Sequence, residues 1–249
     1  MIKEERLQLI LGQVSKDGKV LLGNLSQHLN VSEDTVRRDI KELSDRGLLK
    51  SVRGGAMAHS PVPHNFRDRE KQDISQKKII ASKALSFLKD GQVVIFDGGT
   101  SALAIAENLP DDLKITVVTN SFPIASVLED HPATDVIFAG GRLSKSSFTT
   151  TGYETVQAFK NVRADICFLG VCSIDAETGL TTMDYEDAQL KKTMVATSKH
   201  IIALSTITKT NTAEAFYVCP ITDLDTVITD VSPESEELKV YVEAGIQVL

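Results

Sequence analysis

The chain has 249 residues, of which 42% are hydrophobic and 24% charged, and a formal net charge of −7. This composition is that of an ordinary globular protein and excludes a mostly disordered chain, and the length favours two domains over one. No apolar run approaches the roughly 18 residues of a membrane-spanning helix, and acidic residues stand near the start where a signal peptide would carry its apolar core, so we expect a cytoplasmic protein that does not bind membranes.

The negative charge is unevenly distributed along the chain. Residues 1–60 carry ten Lys and Arg against eight Asp and Glu, whereas residues 61–249 carry seventeen against twenty-six. Because like charges repel, the acidic second part is unsuited to contact phosphate backbones. If the protein binds DNA, we expect its first sixty residues to do so.

The first thirty residues predict two helices. Apolar residues recur at helical spacing from Leu7 to Val14, and this pattern ends at Gly18. Asn24 is predicted to cap a second helix, because Gln27 three residues later completes a capping-box pattern. Asn30 then begins a tight turn.

A third helix and a strand follow the turn. Ser32 is predicted to cap a helix that runs to about Arg46 and ends at Gly47. The segment from Leu48 to Val52 has the pattern of a strand, which we expect Gly54-Gly55 to end. Two helices joined by a short turn and followed by a strand indicate a winged helix-turn-helix.

The third helix has the two faces that a DNA-reading helix requires. At about 100° per residue, Val36, Ile40 and Leu43 share one face, and basic and hydroxyl residues lie opposite or beside it. Guanidinium and ammonium groups read base edges and phosphates. The alternative is a solvated face with charge pairs, since Asp34, Glu42 and Asp45 lie among the bases. The candidate DNA-binding residues are Ser32, Thr35, Arg37, Arg38, Lys41 and Arg53.

This region resembles a known DNA-binding domain. Residues 30–40 read Asn-Val-Ser-Glu-Asp-Thr-Val-Arg-Arg-Asp-Ile, and Leu43, Gly47-Leu48-Leu49 and Gly54-Gly55-Ala56 follow. The run is similar to the signature of the DeoR family of bacterial transcription regulators. Arg53 stands where that family usually has His, which keeps a cation before the two glycines.

Residues 59–74 are predicted to be a linker. Pro61 and Pro63 lie in a polar stretch with little periodicity. The linker separates a DNA-binding domain of residues 1–58 from a second domain of residues 75–249, whose first helix we expect to start near Ser75.

The second domain alternates buried strands with helices. Short apolar runs are separated by segments of helical period, which indicates a mostly parallel sheet covered on both faces. The predicted strands are Val93–Phe96, Ile115–Val118, Val136–Ala139, Ile166–Leu169, Ile201–Leu204 and Val227–Ile228, and the helical segments lie at about 79–88, 102–109, 124–128 and 188–196.

Small and hydroxyl residues follow five of these strands. Because the carboxyl ends of parallel strands meet at one edge of the sheet, we expect these loops to converge on a ligand site, with Arg142 and Lys209 adding charge for an anion. The alternative is that they are ordinary strand-to-helix turns. The candidate effector-binding residues are Asp97, Gly98, Gly99, Thr100, Ser101, Thr119, Asn120, Gly141, Arg142, Gly170 and Lys209.

Residues 77–231 resemble the sensor domain of the same DeoR family. The matching pieces are Asp97-Gly98-Gly99-Thr100-Ser101, Val118-Thr119-Asn120-Ser121, Ala139-Gly140-Gly141, Phe168-Leu169-Gly170-Val171, Gly179-Leu180-Thr181-Thr182, Asp187-Ala188 with Lys191 and Met194, and Lys209. Thr206 stands where the family has an acid before that last lysine. The resemblance implies a fold related to sugar-phosphate isomerases and CoA transferases, and a repressor of sugar metabolism that responds to a phosphorylated sugar.

An enzyme on the same fold is the competing hypothesis. An isomerase needs a positioned acid or base, for which Asp97, Asp184, Glu186 and Asp187 are available, although turn capping and surface charge also account for them. An isomerase would leave the DNA-binding module unexplained, so we expect a regulator and no enzymatic activity.

The remaining expectations concern cofactors and partners. The five histidines are scattered without metal-ligand spacing, and Cys167, Cys172 and Cys219 are predicted to be reduced thiols, so we expect no metal and no cofactor. The expected partners are double-stranded operator DNA and a small phosphorylated sugar. One helix-turn-helix reads only a few base pairs, so we also expect a homodimer or homotetramer.

Overall fold

The computed structural model describes residues 1–249. The first domain is a winged helix-turn-helix, as predicted. Its buried apolar core includes Ile10, Val36 and Ile40. Its elements are α1 (Lys3–Asp17), β1 (Lys19–Leu21), α2 (Leu22–Leu29), α3 (Glu33–Asp45), β2 (Lys50–Val52) and β3 (Gly55–Met57), and the strands form an antiparallel sheet in the order β1-β3-β2.

One local prediction in this domain is wrong. Helix α2 begins at Leu22, so Asn24 lies inside the helix rather than at its cap. Pairing of β1 with β3 extends the chain up to Leu21, and this tertiary contact overrides the local capping pattern. The prediction that Gly54-Gly55 end the preceding strand is confirmed, because β2 ends at Val52. Gly54 has a φ of +83° that reverses the chain, and Gly55 starts β3 so close to β1 that a Cβ there would lie 1.9 Å from the Val20 carbonyl oxygen.

The predicted linker contains ordered structure. Helix α4 (Phe66–Lys71) lies within it, and α5 (Ile74–Leu85) begins one residue before the predicted start near Ser75. Phe66 is buried, and its ring meets that of Phe148 edge-on with centroids 5.8 Å apart. Phe66 is thus one anchor of this segment, and no periodic pattern could reveal such a contact.

The second domain is built on a parallel sheet, as predicted, and this sheet has seven strands. Its elements in chain order are β4 (Val93–Phe96), α6 (Thr100–Ala106), β5 (Thr116–Thr119), α7 (Phe122–Val127), β6 (Asp135–Phe138), β7 (Arg142–Ser144), β8 (Thr149–Thr151), α8 (Tyr153–Lys160), β9 (Ala164–Gly170), β10 (Ser173–Asp175), β11 (Gly179–Thr182), α9 (Tyr185–Ala196), β12 (Ser198–Leu204), β13 (Phe216–Cys219), β14 (Thr226–Ile228), α10 (Lys239–Glu243) and β15 (Gln247–Val248).

The order of the large sheet is β15-β14-β12-β9-β4-β5-β6, and every pair in it is parallel. All six predicted strands belong to it. Side chains alternate between two cores on its two faces, with Ile95 and Cys167 in one core and Phe96 and Phe168 in the other. The chain leaves β4 towards β5 and β6 and returns to add β9 on the opposite side of β4. The crevice between the carboxyl ends of β4 and β9 is therefore a topological switch point, where open α/β sheets bind ligands.

Two small antiparallel sheets were not predicted. They are the β7-β8 pair and the sheet β10-β11-β13. Their strands are short, and several are rich in hydroxyl residues, so they lack the apolar runs that identify the central strands.

Cys167, Cys172 and Cys219 are all free, as expected, and burial raises the pKa of the Cys219 thiol to about 12. No helix has the length and apolar character needed to cross a membrane.

Candidate functional site

The recognition helix α3 divides into a buried and an exposed face. Val36, Ile40 and Leu43 are buried in the domain core, whereas Arg37, Arg38 and Lys41 are exposed. The predicted N-cap is confirmed, because the Ser32 hydroxyl accepts a hydrogen bond from the Thr35 backbone N–H at 3.3 Å. The wing presents Arg53, which is exposed in the turn between β2 and β3. The six candidate DNA-binding residues thus all belong to the helix or the wing, with Thr35 half-buried.

Asp39 has a structural role that the sequence did not reveal. It lies on the buried side of α3, and its carboxylate accepts two hydrogen bonds from the Arg6 guanidinium, at 2.5 Å from Nε and 3.0 Å from Nη2. This bidentate pair joins α1 to α3 and is largely shielded from solvent. Arg6 and Asp39 therefore set the orientation of the helix that carries Arg37 and Arg38.

A cavity of about 170 Å³ lies at the switch point between β4 and β9. Two glycine-containing loops form part of its wall, and Gly98 is needed there because a Cβ would lie 2.0 Å from Thr149 Cγ2. The lining residues are Val62, His64, Arg69, Gly98, Gly99, Thr100, Ser101, Ser144, Ser146, Ser147, Thr149, Thr151, Gly170, Val171, Cys172, Thr182, Met183, Asp184, Asp187, Lys191 and Lys209.

The structure brings together only part of the predicted effector set. Gly98, Gly99, Thr100, Ser101, Gly170 and Lys209 line the cavity, and Asp97, Thr119, Asn120, Gly141 and Arg142 do not. The Asn120 amide donates to the Thr150 carbonyl at 2.9 Å and holds β8 against the sheet. Thr119 donates to the Phe96 carbonyl at 2.7 Å, and Arg142 forms an exposed ion pair with Glu186. The β7-β8 pair contributes to the cavity wall instead, through Ser144, Thr149 and Thr151.

Asp97 is buried and holds together the two loops that form the crevice. Its carboxylate accepts hydrogen bonds from the backbone N–H of Gly98 and of Gly170, each at 2.8 Å, and so joins the loops that follow β4 and β9. It also forms a buried ion pair with Lys191 of α9. Asp97 is therefore a positioning residue with both oxygens occupied.

Lys191 and Asp187 connect this pair to the cavity wall. Burial opposes the charge of Lys191, but the carboxylates of Asp187 and Asp97 outweigh it and raise the pKa of the ammonium. Burial raises the pKa of the Asp187 carboxyl, although Lys191 and a 2.7 Å hydrogen bond from the Thr182 hydroxyl oppose the shift. A cavity-lining carboxyl of this kind can exchange hydrogen bonds with a hydroxyl-rich ligand.

Lys209 has an unsatisfied positive charge. Its ammonium donates to the Val171 carbonyl at 2.9 Å and has no carboxylate within 4.0 Å. Burial lowers its pKa to about 8, and the charges of Lys77 and Arg69 add to this shift. Thr206, which stands in the place of the family's acid, bonds instead to the Thr208 hydroxyl at 3.0 Å.

Arg69 brings a second cation to the cavity from the predicted linker. Its guanidinium donates to the His64 carbonyl at 2.8 Å, and burial lowers its pKa. Lys77 is buried and holds this segment in place by donating to the carbonyls of Arg69 and Gln72. None of these three cations has a carboxylate partner, so the region has the electrostatics of an anion site.

The lining residues outside the predicted set lie in four stretches of the chain, at 62–69, 144–151, 171–172 and 182–191. The hydroxyl-rich run at 144–151 was a visible signal, because Ser and Thr at six of its eight positions exceed the needs of one turn. Asp187 was predicted only as a possible acid or base of the competing enzyme hypothesis and, together with Lys191, as part of the family pattern. Arg69 and His64 gave no signal, since nothing local shows that a linker folds over a cavity.

The linker and one hairpin connect this cavity to the DNA-binding domain. The Ser60 hydroxyl donates to the Cys172 carbonyl at 2.5 Å, and its backbone N–H donates to Glu214 at 2.9 Å. On the other side, Lys19 of β1 pairs with Glu177 at 2.7 Å, in the turn between β10 and β11. Cys172, which accepts the hydrogen bond from Ser60, lines the cavity. The β10-β11 hairpin that carries Glu177 begins directly after Cys172 and ends at Thr182, which also lines the cavity.

A winged helix-turn-helix joined to an α/β domain with a ligand-sized cavity defines a DNA-binding transcription regulator with a sensor domain. Known protein families match both domains of the chain and support this class of protein. Residues 6–62 match the DeoR-like helix-turn-helix domain, and residues 72–231 match the DeoR C-terminal sensor domain. The chain belongs to the DeoR family of transcription regulators.

Individual relatives cover the whole chain. The HTH-type transcriptional regulator GolR of Listeria innocua is 30% identical over 250 residues, covering 100% of this chain and 98% of that protein. The glycerol-3-phosphate regulon repressor of Escherichia coli is 28% identical, covering 99% of this chain and 98% of that protein. Both relatives are named as regulators of transcription, which supports the regulator over the isomerase alternative. Among solved structures, ribose 5-phosphate isomerase A of Methanocaldococcus jannaschii matches with a TM-score of 0.40 and 16% identity, covering 54% of this chain and 53% of that chain.

Proposed function

We propose that this regulator represses transcription by binding double-stranded operator DNA and that a small phosphorylated sugar alters this binding. The observation that carries the proposal is the pair of cations without carboxylate partners, Arg69 and Lys209, in the wall of a hydroxyl-lined cavity. An anion is the missing partner of such cations. The sequence similarity to a glycerol-3-phosphate regulon repressor supports both a phosphorylated ligand and repression.

The rest of the lining suits the sugar part of such a ligand. Helix α6 has only seven residues, so its dipole is small and the charge for the phosphate comes from side chains. Thr100 and Ser101 lie at its first turn and offer hydroxyl groups. Asp187 and the serines of 144–147 supply acceptors and donors for sugar hydroxyls. A cavity with few apolar side chains and many short polar ones favours a compact polyol over an aromatic or lipid ligand.

We propose that DNA binding uses α3 and the wing and requires at least two copies of the chain. Ser32, Thr35, Arg37, Arg38, Lys41 and Arg53 form the proposed DNA surface. One such surface reads a single half-site, and the acidic sensor domain opposes DNA, so useful affinity requires two half-sites on one operator. This function places the protein with the chromosome in the cytoplasm.

The ligand class is tested by thermal unfolding with a panel of probes. The panel contains glycerol 3-phosphate, glucose 6-phosphate, fructose 6-phosphate, inorganic phosphate and unphosphorylated glucose. A phosphorylated sugar present at a hundred times its dissociation constant should stabilise the protein by about 2.7 kcal/mol, whereas glucose should not. Stabilisation by glucose alone, or by none of the probes, would contradict the proposed ligand class.

A charged substitution tests the position of the ligand. Thr100→Glu places a fixed negative charge in the cavity wall, so we expect this variant to fold, to bind operator DNA and to lose the response to the stabilising sugar phosphate. The control is Ser82→Glu, because Ser82 is exposed on α5 and away from the cavity. An unchanged response in Thr100→Glu would place the ligand elsewhere.

A further inference from the structure

One edge of the large sheet is exposed and apolar. Strand β6 pairs with β5 alone and forms the end of the sheet. The opposite edge is β15, which has only two residues, one of them the buried Val248. Only the β6 edge is therefore long enough to accept another strand.

Large hydrophobic side chains surround this edge. Ile137 is 51% exposed and Phe138 39% exposed on β6, and Phe122 of α7 is 59% exposed. The rings of Phe122 and Phe138 meet edge-on with their centroids 6.2 Å apart. Proteins normally protect edge strands with charges, prolines or bulges, because an exposed apolar edge pairs readily with other strands. The segment Val136–Phe138 carries none of these.

The backbone of β6 offers free hydrogen-bonding groups. The N–H groups of Asp135 and Ala139 donate towards β5, to the carbonyls of Ile115 at 2.9 Å and Thr119 at 2.8 Å. Because backbone groups alternate in direction along a strand, Val136 and Phe138 direct their N–H and C=O groups away from the sheet.

We propose that two copies of this chain associate through antiparallel pairing of their β6 strands about a two-fold axis at Ile137. In this register Val136 of each copy faces Phe138 of the other, and each facing pair exchanges two backbone hydrogen bonds. The Ile137 side chains of the two copies meet at the axis as a closely spaced pair without backbone bonds between them. The sheet becomes continuous across the dimer, and neither copy keeps an exposed β6 edge.

A second copy fits this edge better than an unrelated partner. A two-fold interface must be self-complementary, and an antiparallel pair of identical strands satisfies that condition without further features. In the proposed register Asp135 faces Ala139 of the other copy, so the only charged residue of β6 does not meet its own equivalent. The inference rests on the proposed self-association and adds the surface by which it occurs.

Two substitutions on β6 test this surface through the mass in solution. Ile137→Lys brings two ammonium groups together at the axis. Val136→Pro removes an outward N–H that makes no bond within the chain, so the fold tolerates it. We expect light scattering at micromolar concentration to show that both variants have half the mass of the wild type. The control is Val242→Lys on α10. Val242 is as exposed as Ile137, and this variant should keep the wild-type mass.

A cysteine substitution tests the register. Ile137→Cys should form a disulfide-linked dimer on mild oxidation, because such facing residues have Cα atoms about 4.5 Å apart, within the range that a disulfide spans. Asp135→Cys, whose equivalents lie far apart across the axis, should not cross-link. A monomeric wild type would overturn both self-association and this surface and leave the proposed ligand standing. The β6 surface alone would be overturned by a wild-type oligomer whose mass neither β6 substitution changes, or by cross-linking of the Asp135→Cys variant without cross-linking of the Ile137→Cys variant.

Discussion

At the scale of single residues, the sensor cavity is defined by charges that lack partners. Lys209 keeps its ammonium beside a carbonyl oxygen instead of a carboxylate, and burial lowers its pKa to about 8. Thr206, which stands where the resembled family has an acid, contributes no negative charge. A bound phosphate would supply the missing negative charge and raise the pKa of Lys209 again.

This arrangement predicts that effector affinity depends on pH. If phosphate binds beside protonated Lys209, the bound complex holds a proton that the empty protein loses above a pH of about 8. Affinity should therefore be nearly constant between neutral pH and that value and fall up to about tenfold per pH unit above it. Isothermal titration with the stabilising sugar phosphate, from neutral pH to well above the pKa of Lys209, measures this slope. Lys209→Gln should bind more weakly and lose the slope, and an affinity independent of pH in the wild type would contradict the assignment.

At the scale of elements, α3 joins a buried structural acid to an exposed basic surface. Asp39 faces α1 and Arg6, while its sequence neighbour Arg38 and the adjacent Arg37 face solvent. The exposed ion pair of Arg37 with Asp34, at 2.8 Å, is of the kind that contributes little to stability. Arg37 can therefore exchange Asp34 for a phosphate or a base edge at small cost.

We expect Arg37→Ala and Arg38→Ala each to weaken operator binding. Loss of a base-reading arginine should cost roughly 1–3 kcal/mol, and loss of a phosphate contact should reduce the salt dependence of binding by about one unit in slope. Fluorescence anisotropy with labelled operator over a series of salt concentrations measures both effects. Arg163→Ala, an exposed arginine of the sensor domain, serves as the control. Unchanged affinity and slope in both α3 variants would show that another element reads the DNA.

At the scale of the whole molecule, the linker is part of the sensor. It contributes Val62, His64 and Arg69 to the cavity wall and also continues directly from the wing. A ligand that contacts Arg69 therefore acts on a segment covalently attached to the DNA-binding domain. Ligand binding changes DNA affinity only if it prefers one arrangement of the two domains or of two subunits, and the linker is the segment through which that preference can act.

Coupling of this kind is reciprocal. We expect the effector to change operator affinity about 5- to 150-fold, and operator DNA to change effector affinity by the same factor. Ser60→Ala removes the hydroxyl contact between the linker and Cys172 and should reduce both factors together, with little change in either affinity measured alone. Ser82→Ala on α5 is the control. Unequal factors in the two directions would contradict a single linked equilibrium, and an unchanged factor in Ser60→Ala would exclude this contact from the coupling.

Local and periodic patterns in the sequence were enough to identify the main elements of both domains. The spacing of Val36, Ile40 and Leu43 identified the recognition helix, and Ser32 identified its start, because capping and amphipathic burial are local physical requirements. Long apolar runs identified six of the seven central strands, because a strand buried on both faces must be apolar throughout. The loops after β4 and β9 were recognised as ligand-binding segments because they follow such strands.

Which loops meet, and what covers them, depends on the tertiary structure. Strand order places β4 beside β9, so the loops containing Gly98 and Gly170 share a crevice. Asn120 instead bonds to Thr150 of β8, and Arg142 forms an exposed ion pair with Glu186. The buried Phe66 brings the linker and Arg69 over that crevice. These contacts join residues far apart in the chain, and their energies depend on packing between elements, so no local sequence pattern encodes them.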